Sequence, residues 1–141
     1  MKTLVYIYWN LKIVKNKKII NTSAVPKAIG PYSQGIVYDN LIFTSGQIPI
    51  SVRTNDIVSD DFNEQANQVL KNIKRLIESE GSSINNIVKL TVYLTDLSCF
   101  DSLNKIFMKF FDGYKLPARS VVEVSKLPKN SKIEIEAICH L

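Results

Sequence analysis

The chain has 141 residues, 45% of them hydrophobic and 22% charged, which fits one packed domain and excludes both a second domain and a disordered chain. Two cysteines, one histidine and no apolar run near the ~18 residues of a membrane span exclude a disulfide scaffold, a His/Cys zinc site, a two-histidine ribonuclease and a histidine-based triad. The net charge of +5 invites a nucleic-acid reading, but Lys2, Lys12, Lys15, Lys17 and Lys18 carry all of it; residues 21–141 hold 13 basic and 13 acidic side chains and have no surplus for a phosphate-tracking stripe.

Residues 1–16 are apolar, basic and free of acids, and read as an N-terminal extension. They lack the small-residue cleavage site of a signal peptide and the Arg and Ser of an organelle transit peptide. A loosely ordered or edge-strand extension, a targeting segment and a membrane-associating segment all fit them. The two cysteines suit a reducing compartment. The expected location is the cytoplasm, or a mitochondrion or plastid if the extension targets the chain.

Lys18–Thr22 is available as a short strand, and Ala24–Gly30, with Pro26, is irregular chain. Gly35–Tyr38 and Leu41–Ser45 flank Asp39 and Asn40, residues that tolerate positive φ, and read as a β-hairpin. Residues 46–60 are a loop. From Asp61 to Glu80, Phe62, Ala66, Val69, Leu70, Ile73, Leu76 and Ile77 recur at three- and four-residue steps and predict a helix. Ser59 or Asp60 can cap it, and Gly81 can end it.

Ile87–Leu97 alternates as a strand, with Val88, Leu90, Val92 and Leu94 on one face. Phe100–Phe111 is a second amphipathic helix. Ser120–Ser125, a turn over Leu127–Asn130 and Lys132–Cys139 close the chain. The order, β-β-α-β-α-β-β, predicts an α+β sandwich with two helices packed on one face of a mixed sheet.

Pairing the last two strands as a hairpin, with Glu123 opposite Glu134, buries Val122, Val124, Ile133 and Ile135 together. That register puts Arg119, Val121, Glu123, Glu134 and Glu136 on the opposite face. Arg119 follows Pro117, which restricts the chain just before the strand, and a rigidly held guanidinium suits bidentate binding of a carboxylate. A solvated charged face is the alternative, and it fits Glu123 and Glu136 better than Arg119.

Four stretches carry a resemblance: Ala28-Ile29-Gly30-Pro31-Tyr32-Ser33-Gln34-Gly35; Thr44-Ser45-Gly46-Gln47-Ile48-Pro49; Pro117-Ala118-Arg119-Ser120; and Leu127-Pro128-Lys129 leading to Ile133-Glu134-Ile135-Glu136-Ala137. In their order and spacing the chain from about Lys17 to Leu141 resembles the Rid family of reactive enamine/imine deaminases, also called the YjgF or L-PSP family. The resemblance implies a chorismate-mutase-like (YjgF-like) fold assembled as a homotrimer, with active sites in clefts between subunits. It implies hydrolysis of 2-iminobutanoate and 2-iminopropanoate to 2-oxo acids and ammonia, which protects against damage by these imines, with no cofactor and no metal.

Carried over residue by residue, the resemblance gives Arg119 and Glu134 as catalytic residues. Arg119 would clamp the substrate carboxylate, and Glu134 would position the attacking water. Tyr32, Ser45, Gly46 and Asn104 would line the pocket, although Tyr32 also fits an interface aromatic and Asn104 an ordinary helix-surface residue. Val121 stands where many members have Cys, and is expected to reshape the pocket wall and shift substrate preference. Cys99 and Cys139 read as packing residues and His140 as a bystander. The family has also been linked to endoribonuclease activity and translation inhibition; the neutral body and lone terminal histidine make RNA a poor fit as partner. A non-catalytic small-ligand-binding trimer is the third reading.

Overall fold

The structure, a computed structural model, describes residues 16–141. The expectations for the N-terminal extension therefore lie, apart from Asn16, outside the described residues. Among the described residues no helix is long and apolar enough to cross a membrane.

Six strands and two α-helices follow in chain order: β1 (Lys17–Ile20), β2 (Gly35–Tyr38), β3 (Leu41–Thr44), α1 (Phe62–Glu78), β4 (Ile87–Leu94), α2 (Phe100–Phe110), β5 (Ala118–Glu123) and β6 (Ile133–His140). The strands form one sheet in the order β1-β2-β3-β6-β4-β5. All pairings are antiparallel except that of β4 with β5. Strand β6 is antiparallel to both neighbours, so β3 and β4 run in the same direction. Each helix is thus a crossover between strands of like direction, and both crossovers advance the same way across the sheet. The right-handed rule for such connections then puts both helices on one face.

The predicted elements are present, but β4 ends at Leu94 rather than Leu97, β5 spans Ala118–Glu123 rather than Ser120–Ser125, and three further local corrections apply. The first strand is Lys17–Ile20 rather than Lys18–Thr22. The α1 cap is Asp61, whose carboxylate accepts from Glu64 N–H at 2.9 Å, while Ser59 Oγ accepts from Asp61 N–H one step earlier. Gly81 does close the helix in the left-handed region, at φ 83°. In β4 the register slips between Ile87 and Lys89; this bulge turns Val88 out to solvent, 50% exposed, and buries Ile87 instead.

The larger correction concerns the end of the chain. Strands β5 and β6 do not form a hairpin; β4 lies between them, with Tyr93 opposite Glu134 on one side and Val122 on the other. Strand β5 enters from α2 and must lie parallel to β4. Strand β6, with Ile133, Ile135, Ala137 and Cys139 all buried, fills the slot left between β3 and β4. Directly opposed residues share a face. The rows Arg119–Leu90–Ala137, Val121–Val92–Ile135 and Glu123–Leu94–Ile133 therefore face the helices, while Val122, Tyr93, Glu134 and Glu136 face the other way. Arg119, Val121 and Glu123 are thus on the opposite face from Glu134 and Glu136, and Val122 is an exposed residue rather than a core one.

Between the helices and the sheet lies the core: Ala66, Val69, Leu70, Ile73, Leu76 and Ile77 of α1 and Leu103 and Phe107 of α2 against Leu90, Val92, Leu94, Ile133 and Ile135. The face without helices carries an apolar row in register, Ile19–Ile36–Phe43–Ile138, of which Ile19 and Phe43 are exposed.

Candidate active site

The site residues gather in two places. The first is a cavity of about 510 Å³ lined by Ile29, Tyr32, Thr44, Ser45, Gly46, Ile48, Pro128, Glu134 and Glu136. Main-chain bonds build its floor. After β3, Gln47 and Ile135 exchange two hydrogen bonds, Gln47 N–H to Ile135 C=O at 2.8 Å and Ile135 N–H to Gln47 C=O at 3.0 Å. Thr44 Oγ1 accepts from Ala137 N–H at 2.9 Å. These bonds bracket Gly46 and press it against the Glu134 carboxylate. A Cβ on Gly46 would overlap Glu134 Oε1 and come within 2.7 Å of its Cδ. Any larger residue there would have to displace the Glu134 side chain from the space it fills.

The GPYSQG stretch forms the wall. Gln34 is buried, accepts from Thr22 N–H at 2.8 Å and donates to the carbonyls of Thr22 and Pro26 at 3.0 and 2.9 Å. It thereby fixes the loop that carries Tyr32, whose hydroxyl accepts from Ile29 N–H at 3.2 Å. Ser45 Oγ donates to Ser33 C=O at 2.6 Å, so that hydroxyl holds the wall to the floor.

Desolvation, and then the charge of Glu136, raise the pKa of Glu134 above the ordinary carboxylate value. Glu136 in turn accepts from the Tyr93 hydroxyl at 3.3 Å. A half-buried carboxyl that holds its proton more tightly than usual is suited to both giving and taking a proton at a bound ligand.

The second place lies across the sheet. Asn104, Phe107, Met108, Leu116, Pro117 and Arg119 line a cavity of about 350 Å³. Arg119 Nη2 donates to Asn104 Oδ1 at 2.7 Å. Burial lowers its pKa from the ordinary guanidinium value, but an arginine stays charged. Among the described residues it has no ion-pair partner. Val121, two residues on, points to the same face, packs on the core and lines neither cavity. Glu123 accepts from Leu97 N–H at 2.8 Å, which ties the turn before α2 to β5.

One chain therefore unites Tyr32, Ser45, Gly46 and Glu134, and separately unites Asn104 with Arg119. It does not bring Arg119 to Glu134. The sequence reading missed Phe100 and Phe107 as neighbours of Arg119, although Phe100, Asn104 and Phe107 lie at the four- and three-residue steps of one helical stripe. Cys139 is buried, with its thiol pushed up to about 11 by desolvation, and cannot act as a nucleophile near neutral pH. Among the described residues no group of His, Cys, Asp or Glu is placed to hold a metal ion.

An α+β domain with a half-buried carboxyl beside a glycine on one face, and an arginine fork on the other, defines the class to which known proteins can be compared. The family model described as endoribonuclease L-PSP matches residues 22–141, and the chain belongs to this family, also known as the Rid or YjgF family. Among its relatives is TdcF of Escherichia coli K12, named as a candidate reactive intermediate deaminase, 45% identical over 124 residues that cover 86% of this chain and 95% of the relative. The crystal structure of E. coli TdcF with bound serine superposes with a TM-score of 0.84 at 44% identity, covering 88% of this chain and 98% of that one. A Rid-family protein of unknown function from Yersinia pestis, YyfA, gives a TM-score of 0.87 at 43% identity, covering 89% of this chain and all of that one.

Proposed function

We propose that the protein hydrolyses small 2-imino acids, 2-iminobutanoate and 2-iminopropanoate among them, to 2-oxo acids and ammonia, at sites completed between the subunits of a homotrimer. The observation that carries this reading is the Glu134 carboxyl, half-buried in its cavity against Gly46 with a raised pKa. In outline, the Glu134 carboxyl gives its proton to the imine nitrogen. Water adds to C2, and the carboxylate takes up the proton that the water loses. The tetrahedral aminol then expels ammonia and leaves the 2-oxo acid, so that one water is consumed for each ammonia released. These imines already react with water, and placing one substrate, one water and one carboxyl together supplies most of what is needed.

The substrate carboxylate requires a cation, and Arg119 is the fork suited to it. Because Arg119 faces away from Glu134 in its own chain, the fork must come from another copy. Two features support that arrangement. Met108 and Leu116, 64% and 62% exposed, surround the Arg119 cavity with apolar surface that water does not favour. The helix-free sheet face carries the in-register row that includes Ile19 and Phe43. That E. coli TdcF is known with bound serine, a ligand with an α-carboxylate, agrees with an anion fork in this family. An RNA substrate would instead place phosphates in a cavity lined by Glu134 and Glu136.

The test is a coupled assay in which a threonine dehydratase generates 2-iminobutanoate and semicarbazide traps it. Added protein should suppress trapping while 2-oxobutanoate still forms. Undiminished trapping at every protein concentration would reject the activity.

A further inference from the structure

We propose that Phe100 and Phe107 are positioning residues for anion recognition, clamping the Arg119 guanidinium so that its N–H edge is presented ready-made. This rests on the reading of Arg119 as the carboxylate fork. The guanidinium carbon lies 4.8 Å from the Phe107 ring centroid and 5.5 Å from that of Phe100, both within cation–π range. Asn104, on the same stripe of α2, accepts from Nη2 at 2.7 Å. Helix α2 thus meets the guanidinium with two rings and one amide oxygen. The rings make no hydrogen bonds with it, and one N–H bond goes to Asn104, so the other N–H groups are left for a ligand.

The clamp is itself braced. Phe107 is 4% exposed and packs on Phe111 with ring centroids 5.9 Å apart. Phe100 is 38% exposed and follows the turn Leu97–Cys99, which the Glu123 carboxylate ties back to β5. Glu123 and Arg119 are on the same face of that strand, so one strand supplies both the fork and the brace for its clamp. An arginine on an edge strand, without an ion pair among the described residues, would otherwise sample many rotamers and lose that freedom on binding. The rings remove the freedom beforehand.

The experiment is a double-mutant cycle on the full chain. It is read as kcat/KM for 2-iminobutanoate and as calorimetric Kd for 2-oxobutanoate, the product, which carries the same carboxylate. Phe100→Leu, at the exposed ring, is expected to fold, to weaken binding and raise KM by about fivefold, and to leave kcat nearly unchanged. Phe100→Tyr should restore binding, and Phe107→Tyr should retain it. In an Arg119→Ala background, Phe100→Leu should change kcat/KM by less than about twofold, because the group it positions is gone. An equal loss from Phe100→Leu in both backgrounds would make the ring a wall of the pocket and overturn the clamp, as would no loss in either. If Arg119→Ala itself binds 2-oxobutanoate as tightly as the native chain, the carboxylate-fork reading fails and the clamp with it. Weak binding by Arg119→Ala but native binding by Phe100→Leu would reject the clamp alone.

Discussion

The Glu134 and Arg119 half-sites are built in opposite ways. Glu134 stands on β6, flanked by strands on both sides, and its surroundings are fixed mainly by the backbone: the Gln47–Ile135 bridge, the bond from Ala137 N–H to the Thr44 hydroxyl and the close approach of Gly46. Arg119 stands on β5, an edge strand, and is held by side chains of a helix, Asn104, Phe100 and Phe107. A proton-transfer group tolerates little displacement, and the sheet interior supplies that rigidity. On the proposed function, an anion fork that meets a neighbouring copy belongs at an edge, where it is accessible.

The largest effect should come from the edge half. Arg119→Ala should lower kcat/KM for 2-iminobutanoate by more than about a hundredfold, and Arg119→Lys, which keeps the charge but loses the fork, by about tenfold or more. Circular dichroism should stay native and the melting temperature should fall only slightly, since Arg119→Ala removes one hydrogen bond and two ring contacts but no ion pair among the described residues. Equal activity of the Lys and native proteins would leave only charge, not bidentate geometry, on that side of the comparison.

The rigid half should respond to a single methyl group. Gly46→Ala pushes the Glu134 carboxyl out of place and should cost about ten- to a hundredfold in kcat. Gly81→Ala is the control: nothing lies within 4 Å of its Cβ, but its φ of 83° strains any other residue. It should lower stability by about 1 kcal/mol and leave kcat alone. A harmless Gly46→Ala, judged by steady-state kinetics, would show the floor to be soft.

A smaller effect follows from the environment of Glu134. Its folded-state pKa is raised, by desolvation first and by Glu136 second, so the folded chain holds this proton more tightly than the unfolded one. The resulting destabilisation is absent below the unfolded pKa, grows as pH rises toward the folded value and is complete above it. Glu134→Gln should therefore raise Tm at about pH 7.5, leave it nearly unchanged near pH 3.5, and abolish most turnover. A Tm gain that is the same at both pH values would trace to something other than ionisation. Smallest of all, Cys99→Ser should keep turnover within about twofold, since no step uses a thiol.

What could be read from the sequence was local. The 3.6-residue recurrence of Val69, Leu70, Ile73, Leu76 and Ile77 leaves only a helix, and Asp39 between two alternating runs leaves only a hairpin, with Asp39 at φ 59°. The four stretches that carry the family resemblance also brought Gly46 and Glu134 into one list. Strand partners were not local. Alternation says which side chains of β5 go together, but Val121 and Val122 are both apolar and either set fits a core. The helical crossover through α2 and the slot left beside β4 decided it, and with it the face of Arg119. Phe100 and Phe107 read only as apolar-face residues of α2, and Asn104 as a pocket or helix-surface residue, because their common partner, Arg119, could be placed only once that strand was.

The claim that joins the two halves is that they meet between copies. Arg119→Ala and Glu134→Gln chains, each with little activity alone, should be unfolded together, refolded as a mixture and assayed for imine hydrolysis, with native mass spectrometry to confirm hybrid trimers. If each site takes its fork from one chain and its carboxyl from the next, random equal mixing restores about a quarter of native activity. Hybrid trimers that show no activity above the two separate variants would mean that both residues must come from the same chain, and would contradict a site built across the subunit boundary.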